Sequence, residues 1–262
     1  MKMQYDNQAR IWEEALPLGN GRIGAMVWSG VGVERLSLND DTLWSGYPKA
    51  ANTEDKSHHF VKARDLAMKG RYHESQEYIE AHMLGAFTQS YLPLGELVLE
   101  MSDGGSFSEY SRFLDLDRAV AGVTYRQGGV DYKRECFISA PDQVLVMKIS
   151  ADRPGSISFT ARFTCRLRSA VTALGRCLRL EGIAPSDVRP NYSMGDNPVV
   201  YESDPAKQGM RFIGIADFEV SGGTINTEGE SLYVDSADQV IIRFCYRTSY
   251  KGVSFENEVR AS

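Results

Sequence analysis

Turn signals cut the sequence into strand-length runs, and this most limits what the chain can become. Asp103-Gly104-Gly105, Gly128-Gly129, Pro154-Gly155 and Gly222-Gly223 each close one run and open the next. Gln127-Gly128-Gly129-Val130, set between two aromatic-rich runs, is a hairpin signal. Connections this short leave no room for crossover helices, so neighbouring strands must run antiparallel. The spacing predicts strands over 94–101, 108–116, 119–127, 130–139, 143–150, 156–164, 176–181, 210–220, 230–234 and 239–246. Before them, residues 11–16, 21–28, 33–38 and a short 42–44 also read as strands. About fourteen strands are too many for one simple twisted sheet. A mainly β fold follows: a large two-sheet antiparallel super-β-sandwich.

One stretch departs from this pattern. Residues 53–84 hold no proline and a single glycine, Gly70, which predicts a short two-helix insertion. Thr53 or Asn52 would cap the first helix. Phe60, Ala63 and Ala67 form one apolar stripe, and Tyr72, Ile79 and Met83 form the second. Residues 183–209, with four prolines, read as a long irregular excursion of the kind that is functional or docks onto something. Residues 1–250 are expected to form one domain.

Charge and composition exclude several classes of function. Acidic residues number 35 against 29 basic, a net charge of −6 with the signs interspersed, so no footprint for nucleic acid or an anionic membrane is present. No apolar run is long enough for a membrane span, and the start, Met1-Lys2-Met3-Gln4, does not read as a signal peptide. Cys136, Cys165, Cys177 and Cys245 are scattered without a CxxC pair. They read as small core residues suited to a reducing, cytoplasmic setting. All four histidines fall between His58 and His82, far from any cysteine, so neither a metal site nor any other cofactor is expected.

Three motifs look chemical. Gly19-Asn20-Gly21-Arg22-Ile23-Gly24 fits GxGxxG, but a dinucleotide site needs a helix next, and Ala25-Met26-Val27-Trp28-Ser29-Gly30 is a short strand. The glycines therefore serve a tight turn. Glu13-Glu14 and Asp40-Asp41 are acid pairs of the residue type used in glycoside hydrolysis. Neighbours on a strand point to opposite faces, so a dyad would need Glu13 to meet Asp40 in space. Solvated or turn-capping acids are the plainer reading. Trp12, Trp28 and Trp44 all lie in the first 44 residues; they read as core or interdomain residues before they read as a sugar platform. There is no GxSxG, and no histidine lies outside the helical segment to serve a serine triad. Asn191-Tyr192-Ser193 is a formal glycosylation sequon.

Long motifs in order carry a resemblance. Trp12-Glu13-Glu14-Ala15-Leu16-Pro17-Leu18-Gly19-Asn20-Gly21-Arg22-Ile23-Gly24-Ala25-Met26-Val27 is followed by Leu38-Asn39-Asp40-Asp41-Thr42-Leu43-Trp44-Ser45-Gly46. Then come Tyr91-Leu92-Pro93-Leu94-Gly95-Glu96-Leu97, Leu114-Asp115-Leu116-Asp117-Arg118-Ala119-Val120, Tyr132-Lys133-Arg134-Glu135-Cys136-Phe137, Pro141-Asp142-Gln143-Val144 and Thr248-Ser249-Tyr250-Lys251-Gly252. Together they resemble the N-terminal domain of glycoside hydrolase family 95, which holds α-L-fucosidases and some α-L-galactosidases. Asp40 stands where that family usually has Glu, Leu92 where Gln is usual, Glu96 where Asp is usual, and Tyr47 where Gly is common.

The resemblance implies an N-terminal super-β-sandwich that packs on an (α/α)₆ catalytic barrel, with residues 251–262 beginning the linker. The family's inverting machinery sits on the barrel, and no residue here matches it, so no catalytic residue is assigned. The partners implied are the chain's own barrel and a fucosylated or related glycan. The barrel-facing or substrate-rim candidates are Asn20, Arg22, Asn39, Asp40, Thr42 and Trp44. The alternative is a carbohydrate-binding β-sandwich that stands alone.

Overall fold

The computed structural model describes residues 1–49, 55–84, 88–193 and 196–252. Two large antiparallel sheets lie face to face. The first has nine strands in the order β1 (Lys2–Tyr5), β6 (Phe107–Asp115), β7 (Val120–Gln127), β8 (Val130–Ser139), β9 (Val144–Ala151), β18 (Gln239–Thr248), β15 (Arg211–Ser221), β12 (Cys177–Ile183) and β11 (Arg168–Leu174). The second has seven: β16 (Thr224–Glu228), β17 (Ser231–Ala237), β10 (Ile157–Thr164), β5 (Gly95–Met101), β4 (Val33–Asp40), β3 (Ile23–Val27) and β2 (Leu16–Gly19). Within 183–209, β13 (Asp187–Val188) and β14 (Val199–Val200) form a two-residue ladder. This excursion docks on the N-terminal loops: Gly46 N–H donates to Pro185 O at 2.9 Å, and Gln89 Nε2 to Asp187 Oδ1 at 2.8 Å.

Alternation along the strands builds the core. In β10, Ile157, Phe159, Ala161 and Phe163 are buried while the residues between them are not. Phe159 meets Phe218 of β15 (ring centroids 6.3 Å apart), and Phe163 meets Phe244 of β18 (5.8 Å), so aromatic contacts join the two sheets. The β7–β8 hairpin turns on Gly128 (φ +60°) and Gly129 (φ +75°), with Gln127 paired to Val130. Two left-handed residues match the twist of the flanking strands.

The core also holds an ion pair. Glu34 of β4 and Arg134 of β8 are 0% and 1% exposed, and Arg134 Nη1 donates to Glu34 Oε2 at 3.1 Å. Glu34 Oε1 accepts from the N–H groups of Ser29 (2.7 Å) and Arg35 (3.1 Å). Arg134 also donates to Gly30 O, to Val31 O at 3.0 Å and to the Tyr125 hydroxyl at 2.7 Å. Burial pushes the Glu34 carboxyl up and the nearby guanidinium opposes it.

Helices α1 (Ser57–Met68) and α2 (Tyr72–His82) form the expected insertion, broken at Gly70. They pack on each other through Ala63, whose carbonyl accepts from Ser75 Oγ at 2.8 Å, and through His59, which stacks on His82 and bonds the Tyr78 hydroxyl. Phe60 and Tyr72, placed on the apolar stripes by sequence, are instead exposed, because the contact between two short helices is too narrow to cover them. The caps expected at Asn52 and Thr53 lie outside the described residues, as does most of the linker expected at 251–262.

Three other expectations need correction. Residues 11–16 do not form one strand: Trp12–Glu14 make a 3₁₀ turn that Glu14 Oε2 anchors on the Arg10 N–H (2.7 Å), and β2 starts at Leu16. Thr42–Trp44 is not a strand: the chain turns at Asp41 and Thr42, where Asp40 Oδ1 accepts from both the N–H and the hydroxyl of Thr42 and so competes with strand pairing, and Trp44 makes an isolated bridge to Tyr91. Of the two places expected for the tryptophans, core or interdomain surface, the core is excluded: Trp12 and Trp44 are 52% and 43% exposed, and Trp28 is half-buried on the outer face of the smaller sheet. Strands β1, β11 and β16 were not foreseen. The four cysteines are free thiols; Cys136 and Cys245 are buried, while Cys165 and Cys177 are half-buried.

Candidate functional site

The GxGxxG segment is the β2–β3 turn, with no helix behind it. Asn20 shapes it: its Oδ1 accepts from the N–H groups of Arg22 (3.0 Å) and Ile23 (2.8 Å), and its Nδ2 donates to Ser139 O at the end of β8 (2.9 Å). The turn is thereby tied to the opposite sheet. Arg22 extends the tie. Its Nη1 donates to Asp40 Oδ2 (2.9 Å) and to Tyr246 O of β18 (2.8 Å), and its Nε to Gln143 Oε1. Thr42 Oγ1 bonds both Asp40 and the Thr248 hydroxyl. Asn20, Arg22, Asp40 and Thr42 therefore converge at one end of the sandwich, as the shared motif suggested.

A pocket of ≈ 490 Å³ opens above them, lined also by Gln143, Arg247 and Lys251. Its walls are cationic, and burial with the neighbouring Arg247 charge holds the Arg22 guanidinium below its ordinary range. Asp40, 1% exposed, has its carboxyl pushed up by burial against the pull of the Thr42 bonds and Arg22. Every oxygen of this carboxylate is already engaged. Glu13 is exposed and lines a different pocket, with Arg10 and Arg112, so the two acids do not share a site. Asp40→Ala is expected to cost about 2 kcal/mol by stranding Arg22 beside Arg247, and Thr42→Val about 1 kcal/mol. Urea denaturation of both variants checks the order.

Asn39 and Trp44 stand on the adjoining face. Asn39 Nδ2 donates to the Tyr91 hydroxyl (3.1 Å), the Trp44 and Tyr91 rings meet edge to face at 5.4 Å, and Trp44 Nε1 donates to Asp41 O (3.0 Å). Tyr91, Gln143 and Arg247 join the candidates here. Sequence reasoning had Tyr91 and Gln143 inside matched motifs without assigning them a place; long-range pairing, Trp44 with Tyr91 and the Leu92 N–H with Leu43 O, brings the Tyr91 segment alongside. Among the described residues, no group of three or more His, Cys, Asp or Glu side chains is arranged to hold a metal ion.

Comparisons with known proteins agree with this architecture. The profile of the family described as "Glycosyl hydrolase family 65, N-terminal domain" matches residues 3–253. "Alpha-L-fucosidase 2" of Arabidopsis thaliana is 33% identical over 261 residues, covering 96% of this chain and 31% of that protein. "Probable alpha-fucosidase A" of Aspergillus oryzae is 28% identical over 158 residues, 56% of this chain and 21% of the relative. The protein of the same name from Aspergillus niger is 32% identical over 147 residues, 53% of this chain and 18% of the relative. The chain thus spans about a third or less of these curated relatives. A solved structure named "Putative kojibiose phosphorylase from human microbiome" superposes with TM-score 0.51 at 8% identity, over 99% of this chain and 34% of that one, a likeness of fold alone. With its two-sheet sandwich and a profile match over residues 3–253, the chain belongs to the family of glycosyl hydrolase family 65 N-terminal domains.

Proposed function

We propose that this chain is the non-catalytic N-terminal domain of an α-L-fucosidase-like inverting glycoside hydrolase of the family 95 type, acting on fucosylated oligosaccharides. In this reading it packs on a catalytic barrel and supports it. The surface formed by Asn20, Arg22, Asn39, Asp40, Thr42 and Trp44 faces the barrel and rims the sugar site. The observation that carries the reading is the 33% identity running through 96% of the chain to a protein named for α-L-fucosidase, of which it spans less than a third. The site chemistry supports it. The two carboxylates buried among the described residues, Glu34 and Asp40, are each committed to an arginine, so neither is placed to donate a proton to a glycosidic oxygen.

The test is hydrolysis of 2′-fucosyllactose, followed by NMR. The 262-residue chain is expected to give no turnover above blank, and a protein carrying this domain at the length of its relatives is expected to release fucose with inversion. Turnover by the short chain that Glu13→Gln or Asp40→Asn abolishes would overturn the reading.

A further inference from the structure

A second surface adjoins the rim. On the outer face of the smaller sheet, β4 presents Arg35, Ser37 and Asn39. Two concavities lie along this row, of ≈ 350 Å³ and ≈ 480 Å³. Trp12, Ser37 and Asn39 line both, so they form one groove. Each lies in the range of small-molecule sites, roughly 300–1,000 Å³. Tyr91 closes the smaller end, against the edge of Trp44, and Glu96 and Arg166 line the larger.

The aromatic rings are fixed from behind. Trp44 Nε1 is bound to Asp41 O, the Tyr91 hydroxyl to Asn39, and Trp28 Nε1 to Ser37 Oγ at 2.9 Å, which in turn donates to Glu96 Oε1 at 2.9 Å. The polar ends of Trp44, Tyr91 and Trp28 are thus taken up, and the rings of Trp12, Trp44 and Tyr91 stay open, 52%, 43% and 43% exposed. Rings held this way lose little conformational entropy when a ligand stacks on them. Charge along the groove is balanced: Arg35 and Arg166 stand against Glu96 and Asp41, and Arg22 at one end is already paired with Asp40. A charged ligand gains nothing from such a lining. A ligand with hydroxyls on its rim and apolar C–H patches on its ring faces matches it.

We propose that this groove is a binding site for a neutral oligosaccharide, which stacks on Trp12 and on Tyr91, whose ring Trp44 backs edge to face, and bonds Asn39 and Glu96. It runs on from the rim named above. Its test reads binding on this chain alone, so its failure and that of the fucosidase reading are distinguishable.

The 262-residue chain is titrated with 2′-fucosyllactose and, separately, maltotetraose, by calorimetry and tryptophan fluorescence. Saturable binding of either sugar at about millimolar Kd or tighter is expected, with the indole emission shifted. Trp12→Ala and Trp44→Ala are expected to weaken it at least about tenfold while leaving the melting temperature near that of the parent, since both rings are exposed. Tyr72→Ala, an exposed aromatic on α2, is expected to leave it unchanged. Silence in both readouts up to about 20 mM of both sugars overturns the proposal, more than tenfold above a millimolar Kd. Binding that survives the Trp12→Ala/Trp44→Ala double variant does so too. Self-association abolished by Trp12→Ala, without sugar binding, makes this face an interface between proteins instead.

Discussion

Replacing Arg134 by leucine is expected to cost about 3–5 kcal/mol of folding stability at neutral pH, the penalty for leaving one member of a buried ion pair behind. Glu34 is fully enclosed, and with Arg134 gone only the Ser29 and Arg35 N–H groups remain on its carboxylate. Gly30 O, Val31 O and the Tyr125 hydroxyl lose their donor as well. In a domain of this size the loss corresponds to a fall in melting temperature on the order of 10 °C. The pH dependence has a definite sign. Burial raises the Glu34 carboxyl in the fold above the usual carboxylate range, and loss of the opposing guanidinium raises it further. A neutral carboxyl carries no charge penalty, so the deficit is smallest at low pH, where Glu34 is protonated in both folds, and grows as pH rises from the raised folded range of the parent to the still higher one of the variant. The Glu34→Leu/Arg134→Leu double variant is expected to recover much of the loss, because no stranded charge remains. Thermal unfolding of the parent and three variants at pH 5 and pH 8 measures all of this. A deficit in Arg134→Leu that is independent of pH and unrelieved in the double variant would mean that Arg134 acts through packing alone.

How much of this was legible depended on where each strand lies in its sheet. Strands packed between two neighbours announced themselves: Val130–Ser139 falls on its expected residues, because its alternate side chains Val130, Tyr132, Arg134 and Cys136 all turn inward. Three strands that were not foreseen, β1, β11 and β16, are three of the four sheet edges. Lys2–Tyr5 is exposed at every residue and Arg168–Leu174 buries none fully, so neither carries a periodic apolar signal; each is placed by its ladder to one neighbour. The fourth edge, β2, does alternate, with Leu16 and Leu18 buried and Pro17 and Gly19 exposed, but it is only four residues long and was placed too early, on residues 11–16. The site divides likewise. Asn20 with Arg22 and Asp40 with Thr42 are each shaped by local bonds and lie in two matched motifs, so their neighbourhoods were legible; the ties from them to Ser139, Tyr246 and Thr248 were not. Tyr91, Gln143 and Arg247 reach the same region only through long-range pairing, and spacing along the chain carries no record of that. The core half of the tryptophan reading failed because a large apolar side chain is read first as core, whereas Trp28 and Trp44 bond their N–H groups at the surface, where an interdomain contact would also place such rings.

Gly95→Ala is expected to destabilise the fold by about 3 kcal/mol or more, although it adds only one methyl group. Gly95 sits at φ +135°, where L side chains are strained, and a Cβ there would lie 2.2 Å from Thr164 O and 3.2 Å from Cys165 Cα. Both atoms belong to backbone that cannot swing aside, since Glu96 pairs with Thr164 across the β5–β10 ladder. Leu94, fully buried beside it, donates its N–H to Leu38 O at 3.1 Å and accepts from Cys165 Sγ at 3.0 Å, so the chain cannot retreat on that side either. Gly104→Ala is the control: nothing lies within 4 Å of its added Cβ, and its effect is expected within about 0.5 kcal/mol. Differential denaturation of the two variants gives the comparison. A Gly95→Ala protein as stable as the Gly104→Ala protein would mean that β5 and β10 can part at this point. The Pro-Leu-Gly-Glu motif would then need a reason other than packing. The expected result gives it one: the turn into β5 passes so close to the end of β10 that no side chain fits between them. That approach also sets Pro93, Gly95 and Glu96 of β5 against Thr164 and Arg166 at the far end of the aromatic groove. A substitution that forces the strands apart is therefore expected to impair sugar binding together with stability, whereas Trp12→Ala separates the two.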